Sequence, residues 1–201
     1  MATISKTAGT AILAHQAVNH PATVVGSAQD VSTKLAATIL LFHASVEAAA
    51  NTNPGKFLVQ VSGSASGNED WVTVSEFDAT ISTADTEAMT ATEPAAETVL
   101  VVASTTGFTA NDLLYIQDTT VVADSEWGRC QEIVTDTSIN LVDGLTNEKD
   151  NADVIWNDAD LFVAQLDLTA ITRIRTVFQH EGAAGANCHI KGLLVTGDSI
   201  A

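Results

Sequence analysis

The feature that most constrains the fold of this chain is a series of short apolar runs within Glu97–Trp156, each closed by a turn signal. Val99–Ala103 is followed by Ser-Thr-Thr-Gly, and Leu113–Ile116 is followed by Gln-Asp. Trp127–Val134 ends close to an aspartate, and Ile139–Val142 ends at Asp-Gly. Strands this short at such regular spacing are typical of a small, strongly bent antiparallel sheet or barrel. The sequence therefore predicts a compact β-module in this region.

Strand-like segments also lie on both sides of this region. Phe57–Ser62 and Trp71–Phe77 read as two strands joined by a Gly/Ser-rich hairpin loop. Leu161–Leu168, Thr172–Phe178 and Ala186–Val195 read as three more strands near the other end of the chain. In Thr172–Phe178, Ile174 and Phe178 share one face while the two arginines share the other. The whole chain is therefore predicted to be all-β.

The order of these segments predicts how the chain is organised. Residues 31–90 plus 158–201 are expected to form one β-sandwich, and residues 91–157 a small inserted β-module. Residues 78–96 are rich in Thr, Ala, Asp and Glu and read as a linker, the kind of exposed connection at which insertions are tolerated. Residues 1–30 have no firm period and read as an extended N-terminal arm with one edge strand.

Residues 31–50 allow two interpretations. Their apolar residues fit a helical stripe, yet Thr38–Phe42 is a dense apolar run that periodicity alone cannot assign. The segment closes in Asn-Thr-Asn-Pro-Gly, which is a turn signal. We favour a buried strand near residues 37–46 because the next segments are strands.

The charge of the chain excludes several classes of partner. It has 25 acidic and 8 basic residues, a formal net charge of -17. Binding to nucleic acid or to an anionic membrane requires clustered cations, so neither partner is expected. Cys130 and Cys188 lie in apolar, strand-like runs and read as two buried thiols, with their pairing left open.

No motif in the sequence indicates catalysis, a cofactor or a metal. It has no Gly-x-Ser-x-Gly nucleophile motif, no phosphate-binding glycine loop and no zinc-ligand spacing. Several carboxylates could serve calcium or glycoside chemistry, but any acidic β-protein offers such groups, and they are interpreted as solvated turns. These are Asp112, Asp118, Asp124, Glu126, Asp143 and Asp150. His43 is expected to be a core histidine, and His189 to face outward or an interface.

Tryptophan and arginine supply the candidates for an interaction site. Trp71, Trp127 and Trp156 could stack on sugars or bases, or could anchor a core or a subunit interface. The only arginines are Arg129, Arg173 and Arg175, and in so acidic a protein each is expected to hold a carboxylate of this chain or of a neighbour. The predicted interface residues are Arg129, Arg173, Arg175 and Trp127.

Four motifs carry a resemblance to a known family. Thr105–Ile116 (TTGFTANDLLYI), Ser125–Trp127 (SEW) and Ile139–Thr146 (INLVDGLT) resemble the successive motifs of small β-modules in tailed-bacteriophage virion proteins. Leu166–Arg175 (LDLTAITRIR) is similar to the strand that follows that module. Asn111 stands where the pattern usually has glycine, so this turn departs from it. The motifs are those of turns and strands and carry no activity.

The resemblance implies an auxiliary structural protein of the virion. Its nearest form is a capsid decoration or cement protein, which binds the outer capsid shell and stabilises capsomer contacts. The implied partners are the major capsid protein and further copies of this chain, often as a trimer, on the exterior of a capsid assembled in the host cytoplasm. The sandwich is expected to be jelly-roll or galactose-binding-like, and the module a small SH3-like barrel. The alternative function is a carbohydrate-binding or tail-associated receptor-binding β-sandwich module.

Overall fold

The computed structural model describes residues 9–19, 21–46, 55–67, 70–79, 85–180 and 187–198, and within these ranges it contains fifteen β-strands and no α-helix. The strands are β1 Thr10–Asn19, β2 Ala22–Val25, β3 Gln29–Asp30, β4 Lys34–Ser45, β5 Lys56–Ser62, β6 Val72–Asp78, β7 Thr86–Ala88, β8 Val99–Val101, β9 Leu113–Gln117, β10 Glu126–Val134, β11 Ser138–Leu141, β12 Val154–Trp156, β13 Ala159–Asp167, β14 Arg173–His180 and β15 Asn187–Asp198. The prediction of an all-β chain is confirmed.

Two antiparallel sheets pack face to face. One has the strand order β1-β15-β4-β13, and the other has the order β2-β14-β5-β6 with β3 also paired to β14. Their inward residues form one apolar core, in which the ring centroids of Phe57 and Phe178 lie 4.7 Å apart and those of Phe77 and Phe162 lie 5.4 Å apart. Because side chains alternate along a strand, every second residue of the central strands enters this core.

β4 settles the ambiguity of residues 31–50 in favour of the strand. It pairs with β15 along one edge and with β13 along the other, so it is central in its sheet. Ile39 and Leu41 are fully buried on its inner face. A strand of this length explains the dense apolar run, because its outward residues are partly covered as well.

The strands between residues 86 and 156 form a separate six-stranded sheet with the order β7-β12-β9-β10-β11-β8. A bridge between Met89 and Val102 joins the two outer strands, so the sheet curls around a core of its own. The chain enters this sheet after β6 and leaves it before β13. We call residues 86–156 the module.

Residues 78–96, predicted to be a linker, belong in part to the module. β7 already pairs with β12 ahead of residue 91, Met89 is buried, and Glu93 bridges to Lys149. The physical reason is that the two outer strands must meet to cover the core of the module. Short polar segments such as this one are held by backbone pairing and leave little trace in the apolar pattern.

The prediction of an extended N-terminal arm over residues 1–30 is wrong for much of that range. β1 pairs with β15 and β2 pairs with β14, so this part of the chain supplies an edge strand to each sheet of the sandwich. Ile12 and Leu13 are 1% exposed. They pack closely on Gly192, where an added Cβ would lie 2.9 Å from the Cβ of Leu13. The residues before Gly9 lie outside the described part.

The packing of the sandwich core predicts that alanine substitutions at two leucines of neighbouring strands have very different effects on the free energy of unfolding. Leu41→Ala should lower the free energy of unfolding by about 2–5 kcal/mol, because it leaves a cavity beneath β4. Leu161→Ala, at a side chain that is 45% exposed, should change it by less than about 1 kcal/mol. Urea unfolding followed by circular dichroism measures both values. Equal losses at the two positions would contradict this packing.

Candidate functional site

An aromatic cluster joins the module to the four-stranded sheet. We call it the junction cluster: His15 on β1, Phe42 on β4, Tyr115 on β9, Trp127 on β10 and His189 on β15. The centroid distances are 4.7 Å for Tyr115–Trp127, 4.8 Å for Tyr115–His189, 5.0 Å for His15–Trp127 and 5.5 Å for Phe42–Trp127. Aromatic pairs at such distances stabilise a contact beyond the area that they bury.

Polar groups fix the orientation of the junction cluster. His15 Nε2 lies 3.2 Å from the hydroxyl of Tyr115. The indole N–H of Trp127 donates to the backbone carbonyl of His43 at 3.3 Å. Trp127, predicted to lie at an interface with another chain, thus makes its contacts here between two parts of the same chain.

The two histidines of the cluster are held neutral. Burial, and then the nearby charge of Lys191, lower the pKa of His15 to about 4. Burial, and then the proximity of His15 and His43, lower the pKa of His189 to about 4. Of the two placements expected for His189, the structure shows an interface, but one within this chain: the residue is 3% exposed, because the module covers that end of the sheet.

His43 lies on the other side of β4, inside the sandwich, as expected of a core histidine. It is fully buried, its ring centroid lies 6.0 Å from that of Phe178, and its Nδ1 lies 3.5 Å from a carboxylate oxygen of Asp160. It therefore serves the packing of the core.

Arg173 and Arg175 lie together on the outer face of β14, as the sequence predicts. Their guanidinium carbons are 4.8 Å and 4.2 Å from the centroid of the Trp71 ring. Arg175 Nε also donates to the side-chain oxygen of Gln60 at 2.8 Å. Cation–π contacts of this kind hold the indole against the sheet.

Arg173 organises the hairpin loop between β5 and β6. It donates to three carbonyl oxygens of that loop, those of Ser64 at 2.6 Å, Gly67 at 2.9 Å and Ser66 at 3.1 Å. It also lies 3.5 Å from the carboxylate of Asp70. The prediction that this arginine holds a carboxylate therefore fits, but its hydrogen bonds are committed to its own chain.

The four predicted interface residues are not brought together. Trp127 belongs to the junction cluster, Arg173 and Arg175 lie on the outer face of the other sheet, and Arg129 is exposed on the module. Their role as contacts to another chain stays a prediction.

A buried ion pair in the module was missed by the sequence reasoning. Lys149 is fully buried, its Nζ lies 2.9 Å from Glu126, and it donates to the carbonyl of Asp124 at 2.8 Å. The carboxylate of Glu126 also accepts from the backbone N–H of Thr146 at 2.8 Å and of Asn147 at 3.3 Å. This pair ties the Ser-Glu-Trp motif to the Asp-Gly-Leu-Thr loop. Lysine in a polar turn reads as exposed, so no local signal could have revealed it.

The remaining acidic residues act mainly in turns. Asp118 accepts from the backbone N–H groups of Thr120 and Val121, and Asp112 accepts from the backbone and hydroxyl of Thr109. Asp118 is nevertheless only 7% exposed, so it is less solvated than expected. Within the described ranges, no three potential ligands gather in a way that could hold a metal ion.

The two cysteines lie in different cores. Cys130 belongs to the module core and Cys188 to the sandwich core, and both are thiols. Their burial confirms the expectation, and because each thiol lies in a different core they form no bridge with each other.

In the part of the chain that the structure describes, no helix is long and apolar enough to cross a membrane.

No protein-family model and no curated protein matches the chain. Among solved structures, it is similar to the SPBc2 prophage-derived protein YomS, with 11% identity over 97% of this chain and 96% of that one, at a TM-score of 0.30. It is also similar to VP17, a capsid protein of bacteriophage P23-77, with 8% identity over 98% and 100% of the two chains, at a TM-score of 0.19. A third similarity, to a structure of infectious bursal disease virus Gt strain, has 12% identity over 100% of this chain and 42% of that one, at a TM-score of 0.23. The similar proteins come from phages and a virus, but scores this low carry no argument about function.

The neutral histidines predict that the fold loses stability in weak acid. The pKa values of His15 and His189 are about 4 in the fold, below the ordinary value of 6.5, so the unfolded chain binds protons first as the pH falls. The stability from these two groups should be complete above about pH 6.5 and lost progressively toward about pH 4. Urea midpoints measured across this range test it, with His189→Phe as the variant whose curve should be flatter. An unchanged slope in that variant would contradict the assignment.

The buried ion pair predicts a large cost for removing one partner. Burial alone would raise the pKa of Glu126, but hydrogen bonds from Lys149 and Thr146 outweigh burial and hold this pKa below its usual range. Glu126→Gln should destabilise the chain by about 3–5 kcal/mol, because it leaves the ammonium of Lys149 without its counter-charge. Glu132→Gln, an exposed position on the same strand, is the matched control. Thermal unfolding measures both variants, and equal losses of stability would show that the Glu126–Lys149 ion pair does not stabilise the fold more than an exposed glutamate does.

Proposed function

We propose that this chain is an auxiliary structural protein of a virion, in the form of a capsid decoration or cement protein that binds the outer capsid shell and stabilises capsomer contacts. The observation that carries the proposal is that three of the four motifs of the phage resemblance lie in a single module. Thr105–Ile116 and Ile139–Thr146 supply residues of the module core, and Ser125–Trp127 leads into β10 of the same sheet. The fourth motif, Leu166–Arg175, follows the module in the chain.

Individual motif residues support this proposal by what they do in the fold. Gly107 has φ of +86°, and an added Cβ there would collide with Asp85. Asn111 has φ of +78°, a left-handed conformation that glycine adopts most easily and asparagine tolerates. Asparagine can therefore adopt the backbone conformation that suits the usual glycine, so the departure expected of this turn from the sequence is not required. Glu126 and Trp127 supply the ion pair and the junction contact.

The proposed role is not enzymatic, and its partners are protein surfaces. The buried or half-buried polar groups have structural roles. Lys149 holds a loop of the module, Arg173 holds the hairpin loop between β5 and β6, and the histidines of the junction cluster are neutral groups that pack at a contact. With a net charge of -17, the exterior suits a solvated particle surface. We further propose that the module is an SH3-like barrel, that the sandwich is of jelly-roll or galactose-binding type, and that the chain assembles as a trimer with the major capsid protein as its other partner.

The alternative of a carbohydrate- or receptor-binding module receives no comparable support. It would need an aromatic platform open to a sugar, whereas Trp71 is held by two arginines and the indole N–H of Trp156 donates to Gln117 at 2.9 Å.

The proposed function predicts a loss of particle robustness without the chain. Particles assembled without it should form but release their genome at a lower temperature, and purified chain added back should restore the original temperature. Native mass measurement should give three times the 20.9 kDa mass of the chain. Purified chain denatured beforehand serves as the control. Particles that contain no copy of the chain, or that are equally heat-stable without it, would contradict the proposal.

A further inference from the structure

The outer face of the four-stranded sheet carries an uncovered apolar row. The strand register aligns Val163 of β13 with Leu40 of β4, and Leu40 with Leu193 of β15. Val163 is 47% exposed and its neighbour on the same face, Leu161, is 45% exposed. On the opposite sheet, exposed valines occur on β2 and β6, and the outer face of β5 and β14 carries glutamine and arginine side chains. Exposed apolar rows of this kind are typical of interaction sites.

β13 is also the edge of its sheet. It pairs with β4, and among the described residues no strand pairs with it on the other side. Its inner residues are anchored, since Phe162 stacks on Phe77 and Ala164 is buried. The strand therefore presents a fixed row of backbone donors and acceptors next to an apolar face, and an exposed edge of this kind readily accepts a further strand.

The far end of β13 adds a groove and a negative charge. Residues of β4 and of the end of β13 line a largely open groove of about 560 Å³ there, and its lining includes Leu35, Ala36, Thr38, Gln165, Asp167 and Thr169. The carboxylate of Asp167 accepts from the backbone and hydroxyl of Thr169 and lies at the surface. A cation approaching along the strand would meet this carboxylate.

We propose that the β13 edge binds an extended segment of a partner protein, which adds to the sheet as a fifth strand. The segment carries alternating apolar residues that cover Leu161 and Val163, and a lysine or arginine that reaches Asp167. Charge decides between occupants: a second copy would bring another net charge of -17 to the same edge, whereas a cationic segment is attracted to it. The identity of the partner as a particle protein rests on the proposed function, but strand addition itself does not.

A synthetic peptide tests strand addition without any particle. The probe is a peptide in which valine and threonine alternate between terminal lysines, and the control peptide has proline in place of its central valine. Titration of the full chain, followed by backbone amide NMR and fluorescence anisotropy, should show binding of the probe with shifts confined to β13 and β4. The proline peptide should bind at least about tenfold more weakly, because it cannot complete the ladder of hydrogen bonds.

Variants of the chain make the test specific. Val163→Lys should weaken binding of the probe about tenfold, whereas Val142→Lys, a 50% exposed position on the module, should leave it unchanged. Asp167→Asn should weaken binding of the lysine probe but not of a glutamine-ended version, which keeps the inference testable if Val163→Lys does not fold. Absence of binding, shifts on another strand, equal binding of the proline peptide, or self-association through β13 would each overturn the inference. Any of these results leaves the heat stability of particles as a separate measurement of the proposed function.

Discussion

The alternation of side chains along β4 is the constraint on which the rest of the structure depends. Ile39 and Leu41 point into the sandwich core, while Leu40 and Phe42 point to the opposite face. On that opposite face, the module covers the strand around Phe42, through Trp127. One strand thus fixes the core, the docking of the module and the uncovered apolar row, because a shift of register by one residue would exchange all three.

The parts of the fold that could be predicted are those with dense apolar runs and clear turn signals. In the module, β8 to β11 follow this pattern and β7 does not, whereas β5, β13 and β14 of the sandwich follow it as well. β1 and β2 were underestimated because alanine, threonine and glutamine contribute little to a period, although Ile12 and Leu13 are deeply buried. Their burial depends on Gly192, far away in the sequence, which leaves room for them. The burial of Ile12 and Leu13 could therefore not be predicted from residues 1–30 alone.

The candidate site was less predictable, because its contacts join distant parts of the chain. The sequence indicated correctly that Arg173 and Arg175 share a face, since this follows from strand alternation alone. It could not indicate that the loop before Trp71 would satisfy the guanidinium of Arg173 with carbonyl oxygens. The same limit applies to Lys149 and to His189, whose burial comes from residues on other strands. Composition describes the surface on average, whereas a buried polar group is defined by its individual partners.

The two ends of β4 therefore carry different physical properties. At the Phe42 end, the module docks through histidines that must stay neutral, so acid acts against this contact. At the Ala36 end, the binding proposed for the groove and the β13 edge depends on exposed apolar side chains, on the unpaired backbone of the edge and on the surface carboxylate of Asp167. Protonation of the histidines in weak acid would loosen the first contact before it altered the second, because Asp167 has a lowered pKa, held down by its hydrogen bonds to Thr169, and keeps its charge there. Docking of the module and binding at the edge are thus separable by pH, even though a single strand links them.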